Sequence, residues 1–402
     1  MSAHHNLSVK LYALTVTAAL VATGCSSSSS SKSASSGKGM CPDGTIKIGI
    51  AKAKTGGFAA FDLAGGNGSL VAIDQLNAQG GVSKCKLNAE WSDTKSDPAI
   101  GSQVTVKLIA DGAKVVIAPS DFDIGIAASQ AAKSAKVFAI SPEASSTDWP
   151  TAAGPYFFVQ AITENDLGAA QAIFANGKKW KTGFSVINDS FNFFKTTEKV
   201  FNAQYHGKVA SRVAVADDAT DYSAVISRIR STSPAPDFIY LADYYPHVGT
   251  FIKQLRDSGI RTPVLGNPTY SSPELATAVG PSRMSQVYYA SQSFYEGKGA
   301  APEVKDFVSR YKAKFGSFPP NANAIAGYEG VLLLAKALEQ AGTTGAAELS
   351  AAMGSLTDVK LPGAEVYKFE SGHTVRSATI VGFDGEGSPR QLETLDPTKA
   401  SK

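Results

Sequence analysis

Two aspartates flank one phenylalanine in APSDFDIG, residues 118–125, where an apolar run ends and a helix-like segment begins. Carboxylates at a helix start either cap its free N–H groups or meet a ligand that donates hydrogen bonds. Asp121 and Asp123 are candidates for both roles, and both readings stand at this point. They lie too close in sequence to act as an opposed acid and base, and no convergent base accompanies them. Other polar and aromatic groups cluster in stretches that read as loops. These include Ser145, Ser146 and Thr147 in SPEASST, and the rings of Phe61, Phe122, Phe191, Phe193, Tyr244, Tyr245 and Tyr270. The hydroxyls suit turns as well as a pocket lining. About half of the rings are expected in the core; the remainder would wall a site for a flat, apolar ligand with a few polar handles, and rings with acids also suit an ammonium group.

Enzyme motifs do not accompany these groups. GGNG (residues 65–68) lacks the GxGxxG spacing, and the chain has no GKS or GKT phosphate loop, no GxSxG elbow and no HExxH. His206 and His247 read as surface residues on helical segments. No enzyme activity, metal or cofactor is expected. The 38 Lys and Arg balance 35 Asp and Glu, and no basic arm or stripe marks a nucleic-acid partner.

The first 24 residues read as an export signal: Lys10 precedes LYALTVTAALVA, which is too short for an ordinary membrane span. TGC follows, and Gly24 before Cys25 resembles the lipobox of bacterial lipoproteins, although Ala22 stands where such boxes usually carry Leu. The Ser-rich tract behind it has nothing to bury and reads as a flexible tether over 25–43. Lipidation at Cys25 and anchoring to the outer face of the cytoplasmic membrane are expected. Cys41 lies just before the first strand and Cys85 opens the second. Neighbouring parallel strands begin at one edge, so the pattern predicts a Cys41–Cys85 bond in an exported chain.

From residue 45 onward, strand-like runs (TIKIGIA, LNAEWSD, KVVIAPS, KVFAISP) alternate with helical patterns, and a second such series begins at KTGFSVIND. This order predicts doubly wound parallel α/β sheets in two lobes. Loops at the C-terminal ends of the strands then face a cleft.

GGFAAFDLAGG with AIDQLNAQGGV resembles the first loop and helix of the leucine/isoleucine/valine-type substrate-binding proteins of ABC importers. SDTKSDPA, AISPEASST, PYFFVQAITENDLG, VINDSF, the DYSAVISRIRSTSPAPDFIYL block, RYKAKFGSFPP and YEGVLLLAKALEQAG continue the likeness in order. The resemblance implies a periplasmic-binding-protein type I fold, two Rossmann-like lobes joined by three crossovers and closing on a small molecule. It places the first lobe at 44–159 plus 293–360, the second at 160–292 plus 361–395, and a tail at 396–402. It also implies ABC permease partners; a monomer is expected.

Carried over by position, the first-loop aromatic falls on Phe61 and the hydroxyl after the third strand falls on Phe122, between Asp121 and Asp123. A second hydroxyl is kept at Ser145. The second lobe supplies Tyr244 and Asn192, and the acid expected to pair with a ligand ammonium falls on Pro268 or Thr269. With flanking Ser120, Ala144 and Ser146, these residues form the expected ligand set. Half of an α-amino-acid grip is missing, so the expected ligand is aromatic or hydrophobic rather than a branched-chain amino acid. A competing expectation is a sensory receptor of the same fold acting with a separate signalling protein.

Overall fold

The computed structural model describes residues 40–295 and 299–401. The expected export signal, Cys25 and the tether up to residue 39 lie outside them. The first lobe opens with β1 (Thr45–Lys52), α1 (Ala59–Ala78), β2 (Lys86–Asp93), α2 (Pro98–Ala110) and β3 (Val115–Ile117). It continues with α3 (Phe122–Ser134), β4 (Phe138–Ser141), α4 (Asp148–Ala153) and β5 (Phe157–Val159). The chain crosses over into α5 (Glu164–Gly177), β6 (Thr182–Asn188), α6 (Asn192–Gln204), β7 (Lys208–Val215) and α7 (Ser223–Ser231). Then come β8 (Phe238–Ala242), α8 (His247–Asp257), β9 (Val264–Gly266), α9 (Pro273–Val279) and β10 (Val287–Ser291). A second crossover returns it to α10 (Pro302–Phe315), α11 (Asn323–Ala341), α12 (Ala346–Gly354), β11 (Val359–Leu361), β12 (Ala364–Glu370) and β13 (His373–Arg376). A third leads to β14 (Ala378–Phe383) and β15 (Pro389–Leu395).

Two sheets result, ordered β11-β12-β13-β5-β4-β3-β1-β2 and β15-β14-β10-β9-β8-β6-β7. Burial explains the order. VVI of β3 and FIYLA of β8 are apolar throughout and buried on both faces, as central parallel strands must be. KVASRVAV of β7 alternates exposed and half-buried residues and lies at an edge. β15 opens on Pro389, which cannot donate to a ladder, and forms the opposite edge. Local signals set the helix starts: Asp97 accepts from the Ile100 amide at 2.8 Å ahead of Pro98, and Thr163 accepts from the Asp166 amide at 3.0 Å.

The third crossover falls at Ser377, so β12 and β13 belong to the first sheet. The expected second-lobe segment 361–395 is thereby corrected: only 378–395 pairs with the second sheet. EVYKFE and ATIVGF carry the same strand pattern, and alternation says nothing about which sheet a strand joins. The expected tail forms a 3-10 turn, Pro397–Ser401, packed on α5. Cys41 and Cys85 are bonded, with Cα atoms 5.9 Å apart. Among the described residues no helix is long and apolar enough to cross a membrane.

α1 and α11 lie in close contact on the first lobe because each carries glycine where the other's backbone passes. A Cβ at Gly327 would collide with the Gly65 carbonyl, and one at Gly68 with the carbonyl of Ala324. Backbone cannot yield there as a flexible side chain would. Gly327→Ala is expected to cost about 3 kcal/mol in urea unfolding, near the upper end for overpacking. Gly177→Ala, at a helix position with open space around it, is expected to be neutral or stabilising in the same measurement.

Candidate ligand-binding cleft

Parallel strands deliver their following loops to one edge, and in the first lobe three of those loops meet at Asp62 in the first turn of α1. Asp62 is fully buried. Its Oδ2 accepts from the Ala53 amide after β1 (2.7 Å), and its Oδ1 from the Ser120 amide after β3 (2.8 Å). Lys52, the last residue of β1, puts its Nζ 3.5 Å from Asp62 and 2.6 Å from Glu143 in the loop after β4. One ammonium thus faces two carboxylates, all out of water. Burial, offset in part by Lys52, holds the Glu143 carboxyl above its ordinary range. Its Oε1 has no hydrogen-bond partner among the described residues. The loop after β1 is also pinned from β2. Asp93 accepts from the Lys54 amide (2.7 Å) and the Thr55 hydroxyl (2.9 Å), while Ser96 Oγ accepts from the Phe58 amide (3.0 Å).

The two acids of APSDFDIG have separate fates. Asp121 is the N-cap of α3 and accepts from the Asp123 amide at 2.9 Å; Asp123 is exposed in the first turn. Phe122 turns its ring edge-on to the buried Trp149, 5.9 Å between centroids, and packs against the apolar cluster around it. The expectation that the rings sit in loops fails for several. Phe61 lies in α1, because that helix begins at Ala59, and Phe193 lies in α6. Tyr270 is one of the rings expected in the core: it is fully buried, donating to the Leu241 carbonyl at 2.8 Å. Ala144 is buried in the same cluster as Trp149, whereas Ser145 and Ser146 remain half-buried beside it.

On the second lobe, Tyr244 follows β8 and stands edge-on to Phe191, 5.7 Å between centroids, with Asn192 exposed next to them. Its hydroxyl donates to Asp217 at 2.8 Å. The amide of Asn188, at the end of β6, links Asp217 (2.8 Å) to Asp243 (3.2 Å). Asp243 is buried, which raises its carboxyl, while the Asn188 amide bond holds Asp217 low. His247, expected at the surface, is half-buried with Nδ1 3.5 Å from Asp243. The hydroxyl of Thr269 is engaged by the Asp243 carbonyl (2.7 Å), and no acid stands in Asn267-Pro268-Thr269 after β9.

The two edges meet along the crossovers. The Glu164 amide, opening α5, donates to the Ser145 carbonyl at 3.1 Å, and the Ala322 amide donates to Ser271 Oγ at 3.3 Å. The set therefore divides: Phe61, Ser120, Ser145 and Ser146 gather on the first edge and Tyr244, Asn192 and Thr269 on the second, while Phe122 and Ala144 serve packing. Lys52, Asp62, Glu143 and Asp243 escaped the sequence reading. Lys52 and Asp243 share a signal, a charge that closes an apolar strand run as in TIKIGIAK and FIYLAD, whereas Asp62 in a helix turn and Glu143 in a loop carry none. Among the described residues no group of His, Cys, Asp and Glu could hold a metal ion.

A profile of the family described as periplasmic binding protein matches residues 45–387. The chain belongs to the periplasmic binding protein family. It is a solute-binding protein of the ABC-transporter type, with a type I-like fold. The Leu/Ile/Val-binding protein homolog 1 of Brucella suis biovar 1 is 27% identical over 349 residues, 81% of this chain and 91% of that protein. The branched-chain amino acid transporter substrate binding protein LivJ from Streptococcus pneumoniae, solved with isoleucine, superimposes with a TM-score of 0.76. Its identity is 24%, covering 88% of this chain and 100% of LivJ. A solute binding protein from R. palustris in complex with benzoate gives a TM-score of 0.71 at 19% identity, covering 87% and 96%.

In this periplasmic binding protein, Glu164 on the second lobe faces like charge from the first. Burial, followed by the charge of Asp121, raises its carboxyl to about 7, and burial raises Asp121 to about 6. Raised folded-state values mean the folded protein holds these protons more tightly than the unfolded chain. The contribution of Glu164 to stability is complete below pH 4.5 and is lost as pH rises through about 7; that of Asp121 is complete below pH 3.8 and is lost through about 6. Relative to Glu164→Gln, the wild-type protein is expected to lose on the order of 1 kcal/mol between pH 4.5 and 7.5, allowing for solvent screening. Denaturant unfolding of both across that range checks it.

Proposed function

We propose that the protein is a lipid-anchored receptor that captures an aromatic or bulky hydrophobic small molecule and delivers it to an ABC permease. It has no catalytic step in this reading. The observation that carries the ligand class is the loop after β9, Asn267-Pro268-Thr269, which offers no carboxylate to a ligand ammonium. Asp121, at the edge where a ligand carboxylate would arrive, adds negative charge there and opposes it. What remains on the two edges is Phe61, Tyr244 and Phe191 as walls, with Ser145 and Ser146 as polar handles. Fold relatives solved with benzoate, 4-hydroxybenzoate and 3,4-dihydroxy benzoic acid lend support to a ring-bearing ligand. Ligand contacts to both lobes favour closure by differential affinity, and the closed form is what a permease would read.

A thermal-shift series with leucine, isoleucine and valine against ring-bearing acids, amides and quaternary amines tests the ligand class. A ligand at a hundredfold its dissociation constant adds about 2.7 kcal/mol. A ring-bearing compound is expected to reach that, and the three aliphatic amino acids to give little. A full response to leucine would sink the ligand assignment. The anchor is tested separately: Cys25→Ser is expected to move the protein from the membrane fraction to the soluble one, because acyl chains supply the membrane affinity.

A further inference from the structure

The three crossovers pass one buried guanidinium. Arg376, fully buried, ends β13 and is itself the start of the third crossover. Its Nη1 donates to the carbonyl of Gln160 on the first crossover at 3.0 Å, and its Nη2 lies 3.4 Å from the carbonyl of Gln292 on the second. Its counter-charge is Glu329 on α11, also fully buried, with Oε2 3.1 Å from Nη2. The other oxygen of Glu329 accepts from the Gly363 amide at 2.9 Å. Thr374 adds a hydroxyl donating to the Gln160 carbonyl at 2.9 Å. With its amide turned so that both ends are satisfied, the Gln160 side chain accepts from Arg376 Nη1 at 2.5 Å. It then donates to the Pro142 carbonyl at 2.7 Å. Pro142 opens the loop that carries Glu143, Ser145 and Ser146.

We propose that Arg376 is the positioning residue of the hinge: its guanidinium joins the three crossovers and, through the Gln160 amide, the ligand-facing loop 142–147. The physical reason is the carbonyls. Strands that leave one sheet for another carry buried backbone oxygens no ladder serves, and each needs a donor. A planar fork with five N–H groups serves several acceptors in fixed directions at once, whereas an ammonium is a single point. An ion pair this deep adds little net stability over an apolar core, and what it supplies is a defined geometry. A shift in loop 142–147 on ligand contact is therefore carried through Gln160 to every strand about which the lobes rotate.

Hydrogen exchange of the ligand-free full chain tests this, in the paired variant Arg376→Met/Glu329→Gln, which strands no charge, and in Arg376→Lys. In both, amides of 143–147, 160–163 and 291–293 are expected to exchange about tenfold faster together, with β3 and β8 unchanged. Lysine keeps the charge and loses the fork, so it does not rescue. Faster exchange confined to 374–378, a uniform rise across both lobes, or wild-type rates in Arg376→Lys would each overturn the proposal. Should the paired variant not fold, Arg376→Lys alone decides on the same peptides.

Discussion

The carboxylate of Asp62 is the point at which the first lobe's edge is held in shape. It takes the backbone amides of two loops, and through Lys52 it fixes a third. Other bonds hold single loops, as Asp93 and Ser96 do for the one after β1, but this acceptor ties the loops to one another. The cost is a carboxylate buried beside a second acid, which the Lys52 ammonium between them offsets. The loops can then be variable in sequence while their roots stay fixed, which is how one scaffold is fitted to different small molecules.

Much of the fold was legible in the chain because its signals are local and repeated. Apolar runs of three to eight residues alternate with helical spacing, and TIKIGIAK, FIYLA and VLLLAKALEQA each fall in the element their pattern demands. The bond between Cys41 and Cys85 followed from the start of two adjacent parallel strands. The position of the third crossover did not, because β13 and β14 are one residue apart and pattern alike. Sheet membership depends on long-range pairing, and no property of ATIVGF names its partner.

The site was less legible for a different reason. Position relative to a strand end places a residue at the edge, yet the direction of its side chain is set by tertiary packing. Phe122 and Asn192 each open a helix in the same way, but the first is drawn onto Trp149 and the second is left exposed. Asp121 was open between cap and ligand contact, and the Asp123 amide takes the cap. The buried acids were invisible as a network, since Lys52, Asp62 and Glu143 span 91 residues of sequence.

The bond between Cys41 and Cys85 bears on how the fold meets mechanical load. Any pull on the chain ahead of Met40 enters the protein at Cys41, where it would otherwise peel the first strand from the sheet one ladder bond at a time. The covalent link passes part of that force to the root of the neighbouring strand, so the two are loaded side by side. A pull on that segment is thereby taken at a rivet instead of at a loose end of cloth.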